Sequence, residues 1–348
     1  MQAQEVTMRP ETEGKPVEVA SHKRRLWREI YRNRWSYLYL APMTILLLVF
    51  IVYPIFASLG YTLYQWNGIG DPSAYVGLDN FKKVSTDPIF WESFTHTFVL
   101  TAVVVVVQLT LALILALILN NPKLRLSTFY RSVYFLPVVM SPAVIGVIMN
   151  LIISNFGDNF DTILLKLHII HQHIDWLADP HFVLWIIIAI QIWNTLGINL
   201  VYFLAGLQTI PPELYEAARI DGAGWGAQFF SITIPMLRGI GAIIVFLAIL
   251  GNLNVFDIVQ VLTGGGPYFA SSVVSTYIYQ QAFGGGMNVG GAGGGGVMQP
   301  NVGFASAASF YFGMILIVLT ILQALAWRYI RRNSAGNAAA ATEAGAAG

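Results

Sequence analysis

The chain has 348 residues, with 19 Lys and Arg against 18 Asp and Glu, and 56% of its residues are hydrophobic. Only 11% are charged, less than half the share of an ordinary soluble domain, and the mean hydropathy is +0.62. This composition argues against a soluble enzyme and against a nucleic-acid binder, which needs a clustered basic surface. The absence of cysteine excludes disulfides, thiolate metal sites and cysteine nucleophiles.

In chain order, the first 36 residues are mostly polar. Their basic run, Lys23-Arg24-Arg25 with Arg28, Arg32 and Arg34, reads as a juxtamembrane topology anchor rather than a nucleic-acid or lipid patch. A membrane-spanning helix needs about 20 mostly apolar residues, because its backbone must satisfy its own hydrogen bonds in hydrocarbon. Six segments meet or approach this: 37–59, 94–119, 133–153, 182–207, 239–256 and 305–327, none containing Asp, Glu, Lys or Arg. The first is long and follows a polar tail, so it reads as a retained helix rather than a cleaved signal. The fifth is the weakest, being short and carrying Asn252 and Asn254 near its end. No connecting segment reaches about 50 residues, the lower size of an independent domain. The fold class expected is therefore an all-α membrane protein of six transmembrane helices, spanning 37–332, with an Ala/Gly-rich tail at 333–348 expected to be disordered.

Sixteen of the 19 Lys and Arg fall in alternate segments beginning with the N-terminal tail. Positive-inside bias then places both termini and the loop 208–238 in the cytoplasm. In that loop Pro211-Pro212 ends one helix and pre-sets the first turn of another. Glu213 and Glu216 lie near the new helix's N-terminus, where negative charge is favourable. Ala217 and Ala218 leave a small-sided face, Gly222 permits a turn, and a second short amphipathic stretch runs to Pro235. A helix–turn–helix knob is expected on the cytoplasmic surface, the plainer alternative being a linker between two spans.

Glu216-Ala217-Ala218, then Asp221-Gly222, Ile232 and Ile234-Pro235 resemble the coupling-loop signature of ABC importer permeases, with Ile234 in place of the usual Leu. Leu207-Gln208-Thr209-Ile210-Pro211, Val76-Gly77-Leu78-Asp79-Asn80-Phe81, Phe135-Leu136-Pro137 and Val261-Leu262-Thr263-Gly264-Gly265-Gly266-Pro267 resemble its carbohydrate-uptake, maltose-type branch. The resemblance covers about residues 35–332. It implies the ABC importer permease fold in a bacterial or archaeal cytoplasmic membrane. It also implies a second permease subunit, an extracytoplasmic solute-binding protein, a sugar substrate and two ABC ATPase subunits. Those ATPase subunits would hold ATP and Mg, leaving no cofactor in this chain, and Glu216, Ala217, Ala218, Asp221, Gly222 and Pro235 would couple to them. The family's sugar-contacting positions fall on Gln191, Asn194, Thr195, Ile198, Ala248, Asn252 and Val255, three of them apolar here.

The residues themselves point to a pathway as well. Gln191, Asn194, Thr195 and Asn199, with Tyr202, recur at helical spacing on one face of the fourth span. Asn252 and Asn254 mark the fifth span, and Ser141 and Asn150 the third. Polar side chains in a span face protein or a water-filled cavity, so the alternative to pathway lining is helix–helix hydrogen bonding. His168, His171 and His173 lack a carboxylate framework of established metal-site spacing. The glycine-rich run 284–303 reads as a flexible external loop, because no phosphate-loop pattern with Lys-Ser/Thr occurs. Two rivals from other classes remain. An ion-coupled secondary transporter needs intramembrane ionisable groups or unwound ion sites, and a membrane scaffold needs no pathway.

Overall fold

The computed structural model of the chain describes residue 32 and residues 34–72, 74–121, 124–168, 171–284 and 299–346. The basic residues 23–28 and most of the glycine-rich run, 285–298, lie outside these. The chain falls into two units, residues 1–57 and 58–348. The first holds helix α1 (Arg34–Leu47), a π-helical turn (Leu48–Val52) and the start of α2 (Tyr53–Tyr61).

In the second unit a two-stranded antiparallel hairpin, β1 (Tyr64–Gln65) and β2 (Ala74–Tyr75), precedes α3 (Asp79–Thr86). The hairpin departs from the all-α expectation. Buried Asn80 holds it in place, its amide donating to Thr62 O at 2.8 Å and Tyr64 O at 2.9 Å. Then come α4 (Pro88–Leu119), α5 (Ser127–Val139), α6 (Pro142–Lys166) and α7 (Val183–Leu207). The loop region contains α8 (Pro212–Ile220), α9 (Trp225–Gln228) and a second π-helical turn (Phe229–Thr233). The remainder is α10 (Ile234–Leu253), α11 (Asp257–Leu262), α12 (Val274–Phe283) and α13 (Val302–Ala346).

Among the described residues five stretches have the length and apolarity to cross a membrane: Trp35–Tyr61, Pro88–Leu119, Val183–Leu207, Trp225–Leu262 and Val302–Leu325. A sixth requires the pair Ser127–Val139 and Pro142–Gly157, which bend by 95° at their junction. The segment 133–153 is therefore no straight helix. Met140 and Ser141 are both extended, with ψ of 143° and 131°; Pro142 pushes Ser141 before it out of the α region and opens the next helix. The second span starts earlier than residue 94, since Asp87 caps it by accepting from Ile89 N at 2.8 Å and Phe90 N at 3.3 Å. The last helix carries its backbone on to Ala346. Alanine is the strongest helix former, and extending an existing helix avoids the cost of nucleation.

Both π-helical turns sit just ahead of a proline, Pro54 and Pro235. Proline has no N–H and its ring clashes with the carbonyl four residues back. Widening the turn relieves that clash, and the bonds run Tyr53 N to Leu48 O and Ile234 N to Phe229 O.

Helices α4 and α7 organise the apolar core in two layers. Leu100 and Val104 pack with Val183, Ile187, Ile188, Ile258 and Val259 in one. Ala112, Ala116 and Leu119 pack with Leu200, Leu204, Leu207, Leu237 and Ile244 in the other. A third cluster joins α3, the start of α4, α12 and α13 around Phe90, Tyr277 and Phe312. Gly197 of α7 makes a close helix–helix contact, where a Cβ would lie 2.2 Å from Tyr134 O and 2.9 Å from Phe135 Cα. Gly197→Ala should therefore destabilise the purified protein by about 1–3 kcal/mol. Gly239→Ala, with nothing within 4 Å, should not. Thermal melting in detergent measures both.

Candidate functional site: a buried amide cluster and a protruding loop

Along α4 the core-facing positions step by four through Leu100, Val104, Gln108, Ala112 and Ala116, all buried. On α7 the polar residues 191–199 likewise separate the two apolar layers. A polar layer therefore lies between them, and it brings three helices together. Gln191 Nε2 donates to Asn252 Oδ1 at 3.0 Å, and Asn252 Nδ2 donates to Ala248 O at 2.8 Å. Thr195 Oγ1 bonds to Gln191 O at 2.7 Å and also meets Gln108 Oε1. Asn199 Nδ2 donates to Thr195 O at 2.9 Å. Gln191, Asn194, Asn199 and Asn252 are all buried, while Thr195 is half-buried.

These bonds offset the cost of burying amides, which is about 1–3 kcal/mol for each group left unpaired. One group stays unmet: Gln108 Nε2 is buried with no partner. Uncharged donors and acceptors side by side suit a hydroxyl-rich ligand. Among the described residues the cluster contains no ionisable side chain.

The structure does not join every polar residue that the sequence singled out. Asn254 is exposed and bonds back to Leu250 O at 2.8 Å. Ser141 is exposed at the break between α5 and α6, with no side-chain capping bond. Asn150 donates to Leu262 O at 2.9 Å, tying α6 to α11. Gln108 was missed, although it stands alone in the apolar run of the second span. Asp161 was missed because α6 continues past residue 153. It is fully buried and pins the following loop by accepting from Ile174 N at 2.6 Å and Trp176 Nε1 at 2.8 Å. Of the three loop histidines, His173 lies 3.6 Å from Asp161. No group of three metal-ligating side chains occurs among the described residues.

The loop 208–238 forms the knob. Pro212 opens α8 and Glu213 occupies its first turn. Glu216 lies beyond that turn, so the dipole argument holds for Glu213 alone. The helix ends in a Schellman motif: Ala223 N donates to Ala218 O at 2.8 Å and Gly222 N to Arg219 O at 3.1 Å. Gly222 has φ +77° and open space around its Cα. Its requirement is therefore backbone conformation and not room. Tyr215 OH meets Thr233 Oγ1 at 2.9 Å, and Gln228 Nε2 donates to Ala223 O at 2.8 Å, closing the turn. Glu213, Glu216, Ala217 and Asp221 face outward, together with Ile220 at 86% exposure and Trp225 and Phe230 at 71% each. After the π-helical turn, Pro235 leads directly into α10.

Residues 108–332 match the family model of the binding-protein-dependent transport system inner membrane component. The chain is 36% identical to the lactose transport system permease protein LacF of Rhizobium radiobacter, over 85% of this chain and 94% of that one. It is 33% identical to the probable ABC transporter permease protein YurN of Bacillus subtilis, over 82% and 94%. The fold is similar to a crystal structure of a bacterial ABC transporter that imports the acidic polysaccharide alginate, with a TM-score of 0.70 and 22% identity, covering 88% of this chain and 99% of that one.

The Schellman geometry makes a test of the loop alone. Gly222→Asn should preserve the turn, because asparagine tolerates positive φ, whereas Gly222→Val should cost about 1–2 kcal/mol locally. Hydrogen exchange at the Ala223 amide should stay at the wild-type rate in the first variant and accelerate in the second.

Proposed function

The chain belongs to the family of inner-membrane components of binding-protein-dependent transport systems, and from that premise we propose that it is one permease subunit of an ATP-driven sugar importer. It would form the translocation pathway with a second permease subunit in the cytoplasmic membrane, as a multi-pass protein with both termini inside. A solute-binding protein would deliver the sugar from outside. Two ATPase subunits would bind ATP and Mg and dock on the knob around Glu216.

One observation carries this reading. The knob and the amide cluster are connected by the same two helices. α10 runs from Ile234 beside the knob to Leu253 beside Asn252, and α7 runs through Gln191 to Leu207, just before the knob. An 18-residue separation on an α-helix is about 27 Å, so a push on the knob reaches the cluster through rigid backbone. Ile220, Trp225 and Phe230 leave apolar surface on the knob that a partner would cover, with Glu213, Glu216 and Asp221 as a charged rim.

For the substrate, the cluster favours a neutral sugar. Moving an anion through a low-dielectric pathway needs a compensating charge, and none is offered by the described residues of the cluster. The lactose permease similarity points the same way, while alginate, carried by a transporter of similar fold, is acidic. Complexes reconstituted with the binding protein should show ATP hydrolysis stimulated by neutral sugars. Stimulation by a sugar phosphate and by no neutral sugar contradicts this.

Two sets of variants test the roles separately. Glu216→Ala and Ile220→Asp should insert normally yet weaken co-purification of the ATPase subunits or uncouple their activity; unchanged assembly and coupling in both would remove the docking assignment. Gln191→Leu and Asn252→Leu should lower transport about 5- to 150-fold, the equivalent of about 1–3 kcal/mol for a lost buried bond to substrate. Normal assembly with wild-type transport in both would make the amides packing groups only.

A further inference from the structure

Gln108 lies outside every expected site, yet it is the most deeply buried member of the amide cluster, with no exposure at all. Apolar residues flank it four and eight positions away on the same face of α4. Leucine there would continue the stripe without an unpaired atom. The bonding pattern around it is also overdetermined. Thr195 Oγ1 touches both Gln108 Oε1 and Gln191 O, but a hydroxyl has one proton. The two contacts are satisfied together only when Gln108 turns its Nε2–H toward Thr195 and the Thr195 hydroxyl donates to Gln191 O. Amide oxygen and nitrogen are told apart by such bonding logic. In either orientation one polar atom of the Gln108 amide stays buried and unpaired.

We propose that Gln108 is a positioning residue of the sugar pathway, acting through Thr195. Gln108 stands behind the half-buried Thr195 and fixes its hydroxyl, so that Thr195 presents only a lone pair to the pathway. A sugar hydroxyl passing this point must donate to it. The second span thereby takes part in selecting which hydroxyl groups pass, although its own side chain does not touch the sugar. The inference rests on the pathway reading of the cluster.

The test is a double-mutant cycle on the complete complex in proteoliposomes. It uses the binding protein loaded with a mixture of lactose, maltose and arabinotriose. Stimulated ATP hydrolysis is followed against the concentration of loaded binding protein, and the melting temperature of each complex is recorded. Gln108→Leu should melt at or above the wild-type temperature, because it removes an unpaired buried atom. Its half-saturating binding-protein concentration should be unchanged, and its maximal rate should fall about three- to tenfold. Thr195→Val should lower the maximal rate similarly, and the double variant should be no slower than the slower single one.

Multiplying losses in the double variant would show that Gln108 does not act through Thr195 and would overturn the proposal. So would a lowered melting temperature in Gln108→Leu, which marks a packing role, or a wild-type maximal rate. Wild-type rates in Thr195→Val, Gln191→Leu and Asn252→Leu alike would remove the pathway reading itself, a result distinct from a failed cycle.

Discussion

Every polar group inside a hydrocarbon layer must find its partner within the protein, because no water is there to take it. In this chain the backbone meets that demand by forming helices, and most polar side chains meet it locally. Thr95, Thr110, Ser132, Asn155 and Asn254 each bond to a carbonyl four residues back on their own helix. Such bonds hold nothing together. Against that background the cross-helix bonds of Gln191, Asn252, Thr195 and Gln108 stand out. They are the polar contacts that link α4, α7 and α10 between two apolar layers, and they leave one amide group of Gln108 unmet.

Proline interrupts the helices at places that matter to the proposed mechanism. Pro142 stands at the 95° break in the third apolar segment. Pro235 follows a π-helical turn where the knob enters α10. A lever needs a stiff arm and a defined joint, and α10 with its proline-marked start supplies both. The Schellman turn at Gly222 gives the knob a fixed shape with few contacts of its own, which suits a surface completed by another subunit. The glycine-rich turn at 263–267 is held just as firmly from within. Gln280 Nε2 bonds Gly264 O, and Thr263 and Ser271 hydroxyls meet at 2.8 Å. That motif of the maltose-type resemblance therefore has a structural use in this chain.

Much of this could be read from the residues alone. Five spans follow from length and apolarity. The α7 stripe follows from 3.6-residue periodicity, and the knob from Pro211-Pro212 and Gly222. The rest was illegible for specific reasons. Hydropathy averaged over 133–153 is indifferent to direction, so it passes over a right-angle bend whose signal is the single pair Ser141-Pro142. Asn252 and Asn254 look alike in sequence, but two residues on a helix turn the side chain by about 200°, which separates the buried amide from the exposed one. Gln108 was hidden because a lone amide in an apolar run has no periodic partners on its own helix. Its partner lies 87 positions away.

The central claim is that the polar layer is a passage and not glue between helices. The chain has no cysteine, so single cysteines can report water access directly on this subunit. The decisive measurement is the rate at which a small hydrophilic methanethiosulfonate modifies Asn194→Cys in the assembled complex. Val106→Cys on α4, outside the cluster and at 67% exposure, serves as the control. A passage predicts that Asn194→Cys reacts much faster than the control, at a rate that changes when the ATPase is trapped with ATP and vanadate. A cysteine at 194 as inert as the control in every state would contradict it.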